Sequence, residues 1–476
     1  MKRDNATAAL ARADNGWRGA AAPRVRASIA GTAWPALPEG YGLGTLALQY
    51  QLRHSQYLAP DLLAERQRRQ LGALAAFAFD HCPFYARPLA DAGYRRGDPM
   101  TEDVWRNLPI LTRAEVQDNE ARMRPPAPPS SHGQVHLHRT SGSTGRPVEV
   151  PVTDLAAMFW EACALRDHLW HQRDLSGTFV AIRTPPGGDA SLHGRKHAAW
   201  NRGTAAAFFN GPSILLDRRR PMAEVAEALA PLDPAYVLAP PSAFLQLVEQ
   251  MQAKNLRLPS LKAALTFSEQ IPGGLRETVR AAWGVPVQDI YTSVEMGYLA
   301  IQCPEHAHYH VQSESVRLEL LKDDGTECAP GEIGRVVVTR LHNFAMPLLR
   351  YDIGDYAERG EACSCGRTLP VLKRIAGRKR NRLVLPGGEK IWARTDSLGL
   401  IPGLPIRQYQ IVQRTHGQLD VRILPTRDFG AAEMEKLHAW AGQEPWRRFE
   451  VAFRFGAALE TTRSGKFEDF VTLAGD

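Results

Sequence analysis

Four stretches of this chain gather side chains able to handle phosphate, metal or carboxylate, and they follow one another in order. The run "HRTSGSTGRPVEVPV" at 138–152 places Thr140, Ser141, Gly142, Ser143, Thr144 and Gly145 beside Arg146 and an alternating, strand-like segment. Backbone N–H groups in such a run converge on an anion, and the hydroxyls add donors without bulk. The arginine adds a charge-assisted contact to a phosphate oxygen. A simple hairpin of small residues fits the same run. The Gly-Lys-Ser/Thr ending of the common phosphate loop is absent, and no helix follows directly, so a helix N-terminus is not what this loop offers.

The second stretch, "DIYTSVEMGYLA" at 289–300, has a strand ending at Tyr291, then a small-residue turn holding Thr292, with Glu295 beyond it. A ring at a strand end can stack on a base, and a carboxylate there can hold phosphate-bound Mg²⁺. In "LLRYDIGD" at 348–355, Asp355 follows a glycine in a turn, where a carboxylate can accept both hydroxyls of a ribose. In "TTRSGKFED" at 461–469, Lys466 beside Ser-Gly is a mobile point charge. Taken singly, each has a plain alternative: a surface glutamate, a turn aspartate, a solvated lysine.

Cysteine spacing raises a separate chemistry. Cys303 opens "CPEHAHYH", and "CSCG" supplies Cys363 and Cys365. Three thiols and one histidine make a tetrahedral structural zinc site. In an extended chain His306, His308 and His310 share a face, so any of them can be the fourth ligand. His310 is favoured because it leads into the next strand. Free thiols in a turn-rich region are the alternative. Six cysteines in 476 residues do not form a disulfide framework.

These stretches must be held by larger elements. Residues 61–80 place apolar side chains at helical spacing, and 154–172 reads as a helix capped by Thr153 or Asp154. "CPFYARPLADAG" and "NLPILTRAEVQDN" read as short helices. "QVHLHR" and "PVEVPV" alternate and read as two strands flanking residues 140–146. From "TFVAIR" to "VQDIY", apolar strands alternate with helical runs, which predicts α/β layers with substantial parallel sheet. Over 313–352 the pattern becomes strands joined by turns, "SVRLELL", "GRVVVTRL" and "MPLLRYD". After Gly377 a charged connector leads to a smaller set of strands and one helix near 431–441. The expected fold is α/β: a loose extension at 1–35, a large domain of layered mixed sheets and helices at 36–376, and a small mobile α+β domain at 377–476 with a hinge near 377–382.

Bulk properties set the outer bounds. Hydrophobic residues are 44% and charged residues 23%, ordinary for a globular chain with a sizeable core. The net charge of +7 suits a phosphate-rich ligand. Lys and Arg are scattered and not interleaved with aromatics, which argues against a nucleic-acid partner. No apolar run approaches the roughly 18–20 residues of a membrane span, and the start lacks a signal core, so the expected location is the cytoplasm.

In their order, these motifs resemble the adenylate-forming superfamily of acyl-CoA synthetases and adenylation domains. "TSGSTGRP" is similar to its phosphate loop, "YTSVE" to its adenine and metal stretch, and "RYDIGD" to its ribose turn. "GRKRN" is similar to its hinge and "TTRSGK" to its C-terminal catalytic loop. "CPFYARPL" and "LPILTRAEVQDN" resemble the phenylacetate–CoA ligase branch, and some relatives there look as though they carry zinc at such cysteines. The resemblance implies that residues 140–145 hold the ATP β- and γ-phosphates, Tyr291 and Thr292 the adenine side, Glu295 a Mg²⁺, Asp355 the ribose with Arg378 nearby, and Lys466 the carboxylate and α-phosphate. It implies an AMP-forming ligase acting on a carboxylic acid, usually aromatic, with ATP and coenzyme A. Tyr236, Phe244, Phe267 and Tyr298 are candidates to line the acid pocket, and Ser268 and Glu269 to read a polar group on it. The chain departs from the family at Asn381, where an aspartate is usual. A carrier-protein thiol or an amine therefore stays open as the acceptor, as does a non-catalytic nucleotide-binding protein on the same fold. A monomer and a homodimer are both compatible.

Overall fold

Local rules place the elements that frame the chemistry-bearing stretches. The structure, a computed structural model, describes residues 23–139, 147–185, 194–378, 381–456, 459–460 and 467–473. The chain divides into two units: one of residues 1–177, 197–213 and 290–375, the other of 178–196, 214–289 and 376–476. Both expected kinds of sheet are present, and the mixed α/β class is borne out.

In the first unit the strands are antiparallel where their registers are defined. Val316–Leu321 pairs with Ile333–Arg340, which pairs with Tyr351–Arg359, while Tyr309–Val311 lies between Gly297–Gln302 and Val371–Arg378. Val135–Arg139 and Glu149–Thr153 form a hairpin whose register runs from Val135↔Thr153 to Arg139↔Glu149. An Arg139–Glu149 ion pair at 2.6 Å closes it beside residues 140–146. Thr153 then accepts from the Ala156 N–H at 3.2 Å and starts the helix Asp154–Trp170, as a cap should. Arg166 on that helix is buried and donates to Gln312, to both Glu314 oxygens and to the Leu52 carbonyl at 2.6–3.0 Å. A buried guanidinium with this many acceptors ties the helix to the antiparallel layer and to Gly40–Ser55.

Two strands differ from the expected reading. "MPLLRYD" does not extend through its leucines: the strand starts at Tyr351. Arg350 before it has φ +50°, and its guanidinium turns back to the Leu108 and Arg106 carbonyls and to Glu319. Asp355 sits within the strand Tyr351–Arg359, not in a turn. Gly354 adopts φ +80°, and the pairing jumps from Asp352↔Val337 to Tyr356↔Arg335, so Asp355 belongs to a bulge. The other strand, Val287–Ser293, runs two residues beyond Tyr291 and ends in a tight reversal to Gly297.

In the second unit, Phe179–Arg183, Tyr236–Ala239, Ala263–Thr266 and residues 287–289 are parallel neighbours. The helices Met222–Leu229, Pro241–Ala253 and Leu275–Trp283 lie between them in sequence and bury Leu229, Phe244, Leu247 and Val279 in a common core. A separate core gathers Ile411, Val421, Leu437, Trp440 and Phe470. There the hairpin Ile406–Thr415/Gln418–Pro425 takes Phe470–Thr472 as a parallel edge on one side and Glu450–Phe455 on the other.

Asn381, the departure from the family pattern, is explained here. Its Oδ1 accepts from the Arg378 N–H at 2.8 Å while its Nδ2 donates to the Phe470 carbonyl at 3.0 Å and lies 3.4 Å from Glu468. A carboxylate would keep the first contact, but it has no proton to offer the carbonyl and would face the Glu468 charge. Asn381→Asp is therefore expected to lower stability by about 1–3 kcal/mol, the cost of an unsatisfied buried group. Chemical denaturation checks this, and an unchanged midpoint would contradict it.

Candidate functional site

Within the first unit, the reversal after Val287–Ser293 and the bulged strand Tyr351–Arg359 bring three expected residues into reach of one another's partners. Tyr291 donates its hydroxyl to Asp355 Oδ2 at 2.9 Å. Glu295, in the turn between the paired strands, accepts from Ser293 Oγ at 2.7 Å and lies 3.4 Å from the Arg113 guanidinium. Burial, and then the Glu295 charge, push the Tyr351 hydroxyl above its ordinary range, so this tyrosine stays neutral beside the pair. Thr292 is half-buried and opposes Tyr298, with the register shifting between Tyr291 and Thr292. Two carboxylates thus stand near an aromatic ring, each held by a donor. A divalent cation at Glu295 would have to take the place that Arg113 holds as counter-charge. A carboxylate in a small turn suits Mg²⁺, which takes few protein ligands and keeps several waters.

Arg113 is a site residue that motif reading missed. It opens the helix Arg113–Met123, which Thr112 and Glu115 cap reciprocally. The capping residues stand out in "LPILTRAEVQDN", but a lone arginine between them carries no signal of a partner 182 positions away.

The second unit holds the other pocket candidates. Ser268, two residues past the strand Ala263–Thr266, has φ +66°. The Glu269 side chain is buried, accepts from the Ser242 N–H at 3.2 Å and lies 3.8 Å from Arg218. Tyr236 starts its strand and is buried, and Phe244 belongs to the helical core. Arg378 offers its backbone N–H to Asn381. Residues 140–146, Lys466 and hinge residues 379–380 lie outside the described residues.

The cysteines form a separate cluster in the first unit. Cys303 Sγ, Cys363 Sγ, Cys365 Sγ and one His310 nitrogen all lie within 4.8 Å of one another. Sγ–Sγ is 3.9 Å for Cys303–Cys363, and Cys365 Sγ lies 3.4 Å from His310 Nε2. Ligands at about 2.0–2.3 Å from zinc in a tetrahedron stand roughly 3.4–3.8 Å apart, so the donor set fits that ion. His310 is the histidine brought in. Its Nδ1 lies 3.5 Å from the Leu369 carbonyl, the kind of contact that leaves Nε2 to a metal. His306 instead meets Ser364 Oγ at 2.9 Å. Hydrogen bonding between the thiols raises Cys303 and lowers Cys365, so a proton is shared unequally within the cluster.

Comparison with known proteins places this geometry in context. The model for the family described as AMP-binding enzyme matches residues 86–346. A phenylacetate–coenzyme A ligase of Thermus thermophilus is 27% identical over 380 residues, 76% of this chain and 81% of that protein. One of Escherichia coli is 24% identical over 341 residues, 69% of this chain and 74% of that protein. The solved structure of 2-hydroxyisobutyryl-CoA ligase in the postadenylation state with R3-HIB-AMP has a TM-score of 0.66 at 20% identity, covering 86% of this chain and 90% of that one. That likeness concerns the fold. No helix among the described residues is long and apolar enough to cross a membrane.

The cysteine cluster yields a direct expectation. Elemental analysis of the purified protein should return close to one zinc per chain, and Cys365→Ser should lose most of it together with thermal stability. Protein free of metal in both forms would contradict the assignment.

Proposed function

The chain belongs to the AMP-binding enzyme family, and from that premise we propose that it is an AMP-forming acyl-CoA ligase acting on an aromatic carboxylic acid. In the first half-reaction a carboxylate oxygen attacks the α-phosphorus of ATP. The bond to the bridging oxygen breaks, and pyrophosphate leaves. In the second, a coenzyme A thiolate attacks the acyl carbon and AMP departs with its electron pair. No protein nucleophile is needed, because the substrate supplies it.

The observation that carries this reading is the pairing of Tyr291 with Asp355 beside Glu295, in stretches that resemble the family's adenine, ribose and metal motifs. Asp355 would accept ribose hydroxyls, its carboxylate oriented by the hydrogen bond from Tyr291. Glu295, steadied by Ser293, would hold Mg²⁺, which supplies charge neutralisation at the phosphates. Residues 140–145 would grip the β- and γ-phosphates through N–H and hydroxyl donors. Lys466, delivered by the small domain at 377–476, would bridge the incoming carboxylate and the α-phosphate, offsetting the repulsion of two anions. Withdrawal of that domain would then open the acyl-adenylate to the thiol. The aromatic character of the acid is supported by the phenylacetate–coenzyme A ligases among the relatives.

Pyrophosphate release measured over a panel of carboxylic acids, with and without coenzyme A, tests the proposal. Acid-dependent pyrophosphate and an acyl-CoA product are expected. Pyrophosphate without acyl-CoA would shift the acceptor to a carrier-protein thiol or an amine, and none with any acid would reject the ligase. Lys466→Ala and Glu295→Gln should each cut acid-dependent release by about a hundredfold or more, the scale of losing one electrostatic stabiliser. Near wild-type rates would contradict the roles given to them.

A further inference from the structure

In the second unit, residues 376–476 pack with residues 214–289, and at one place two backbones meet with no side chain between them. The loop that joins the strand Ala263–Thr266 to the helix Leu275–Trp283 ends in Gly273 and Gly274. Against it lies the 3₁₀ helix Thr395–Leu400. A Cβ on Gly273 would stand 2.1 Å from the Asp396 carbonyl oxygen, and one on Gly399 would stand 2.3 Å from the Gly273 carbonyl oxygen. Gly274, at φ +87°, would place its Cβ 2.9 Å from the Gly399 oxygen. The atoms met are backbone and cannot swing aside, so a methyl group at 273 or 399 has to push the two segments apart.

The 3₁₀ helix is fixed among the residues that follow it. Leu398 is buried in their core, the Tyr409 hydroxyl donates to the Thr395 carbonyl at 2.8 Å, and Trp440 Nε1 donates to Ser397 Oγ at 2.9 Å. Thr395 Oγ1 in turn donates to Asp469 Oδ2 at 3.0 Å, and the Asp469 carbonyl accepts from the Ile411 N–H at 2.8 Å. Asp469 follows Lys466 by three residues. Elsewhere the contact is looser. A cleft of about 410 Å³, lined by Met222, Leu245, Gln246 and Leu424, lies between the helices Met222–Leu229 and Pro241–Ala253 and the hairpin Ile406–Thr415/Gln418–Pro425. An Arg407–Glu249 ion pair at 2.5 Å spans it, and both partners are over a third exposed or close to it, so the pair contributes little. A part-polar, open interface of this kind is one that separates. The glycine contact is what fixes its geometry while it is closed.

We propose that Gly273 and Gly399 are positioning residues: their side-chain-free contact is the seat on which the small domain docks for acid activation, and it sets where Lys466 meets the carboxylate. The inference rests on the role given to Lys466 above. The linkage runs from the seat through Thr395 to Asp469, at the base of the segment that carries the lysine. A displaced seat therefore displaces the lysine, and misplacing a reacting group by about 1 Å can cost roughly a hundredfold in rate. The loop that forms the seat also carries Ser268 and Glu269, two of the candidates for reading the acid. The thiol step, which needs the lysine withdrawn, makes no use of the seat.

The test measures the two half-reactions separately on the full chain: acid-dependent pyrophosphate release, and acyl-CoA formation from synthetic acyl-adenylate and coenzyme A. Gly273→Ala and Gly399→Ala should each lower kcat for pyrophosphate release by about tenfold to a hundredfold, while acyl-CoA formation from the adenylate stays near wild type. A second measurement holds the seat closed instead of opening it. Glu249→Cys combined with Arg407→Cys, bridged by a short reducible thiol cross-linker, should still release pyrophosphate but form acyl-CoA about tenfold more slowly until the bridge is reduced. Neither single cysteine variant should show this. Should the alanine variants not fold, the bridged protein decides alone. Wild-type pyrophosphate release in both alanine variants, an equal loss of both half-reactions, or a bridged protein that forms acyl-CoA at the wild-type rate or loses pyrophosphate release would overturn the proposal. Lys466→Ala separates it from the reading beneath it. Wild-type release in that variant would overturn the lysine's role, whereas loss there and none in the glycine variants would overturn the seat alone.

Discussion

A carboxylate that attacks a polyphosphate must approach another anion, and that repulsion is the constraint around which the site is organised. Unscreened, two unit charges about 4 Å apart repel by roughly 4 kcal/mol at an effective dielectric near 20, before phosphorus gathers further negative charge. The chain meets this with positive charge and oriented donors, and it avoids adding bare anions of its own. Asp355 is bonded by the Tyr291 hydroxyl, and Glu295 is countered by Arg113 and Ser293. Each of the two carboxylates is therefore compensated by an internal partner, which under the proposed roles a ribose hydroxyl or a metal would replace.

Backbone irregularity is what aims these groups. The register shift at Tyr291/Thr292 and the bulge at Gly354–Asp355 sit on the two strands that carry the pair. Regular strands would alternate side chains strictly between faces, whereas a bulge re-aims one residue locally. Around these bends buried arginines tie the elements together. Arg166 ties the helix Asp154–Trp170 to Glu314 and Gln312, and Arg350 ties the start of the bulged strand to Glu319 and to the Leu108 carbonyl. The same helix also accepts Arg340 Nη2 on its Ala156 carbonyl at 2.8 Å.

Much of this was legible in the residues. Strong apolar periodicity located the helices read at 61–80 and 154–172, observed as Pro60–His81 and Asp154–Trp170, and the apolar strands that alternate with helices in the second unit. The Thr153 cap and the hairpin flanking residues 140–146 were readable as well. The reading failed where one residue's backbone overrode the pattern. Leu348 and Leu349 read as strand, yet Arg350 at positive φ breaks it, and the "DIGD" turn is a bulge because Gly354 allows one. Among site residues, the motif members and the cysteine–histidine set stood out by type and spacing. Arg113 did not, since it acquires meaning only from the Glu295 carboxylate brought close by the fold. Asn381 looked like a lost charge in the motif, and it becomes intelligible only beside the Phe470 carbonyl, which needs a donor.

The central claim is that the acid's own oxygen attacks the α-phosphorus, and isotope transfer tests it most directly. An acid labelled with ¹⁸O in its carboxylate, turned over with ATP and coenzyme A, should leave one labelled oxygen in the AMP and none in the pyrophosphate. Unlabelled AMP, or ADP accompanied by labelled inorganic phosphate, would contradict it and point to an acyl-phosphate route instead.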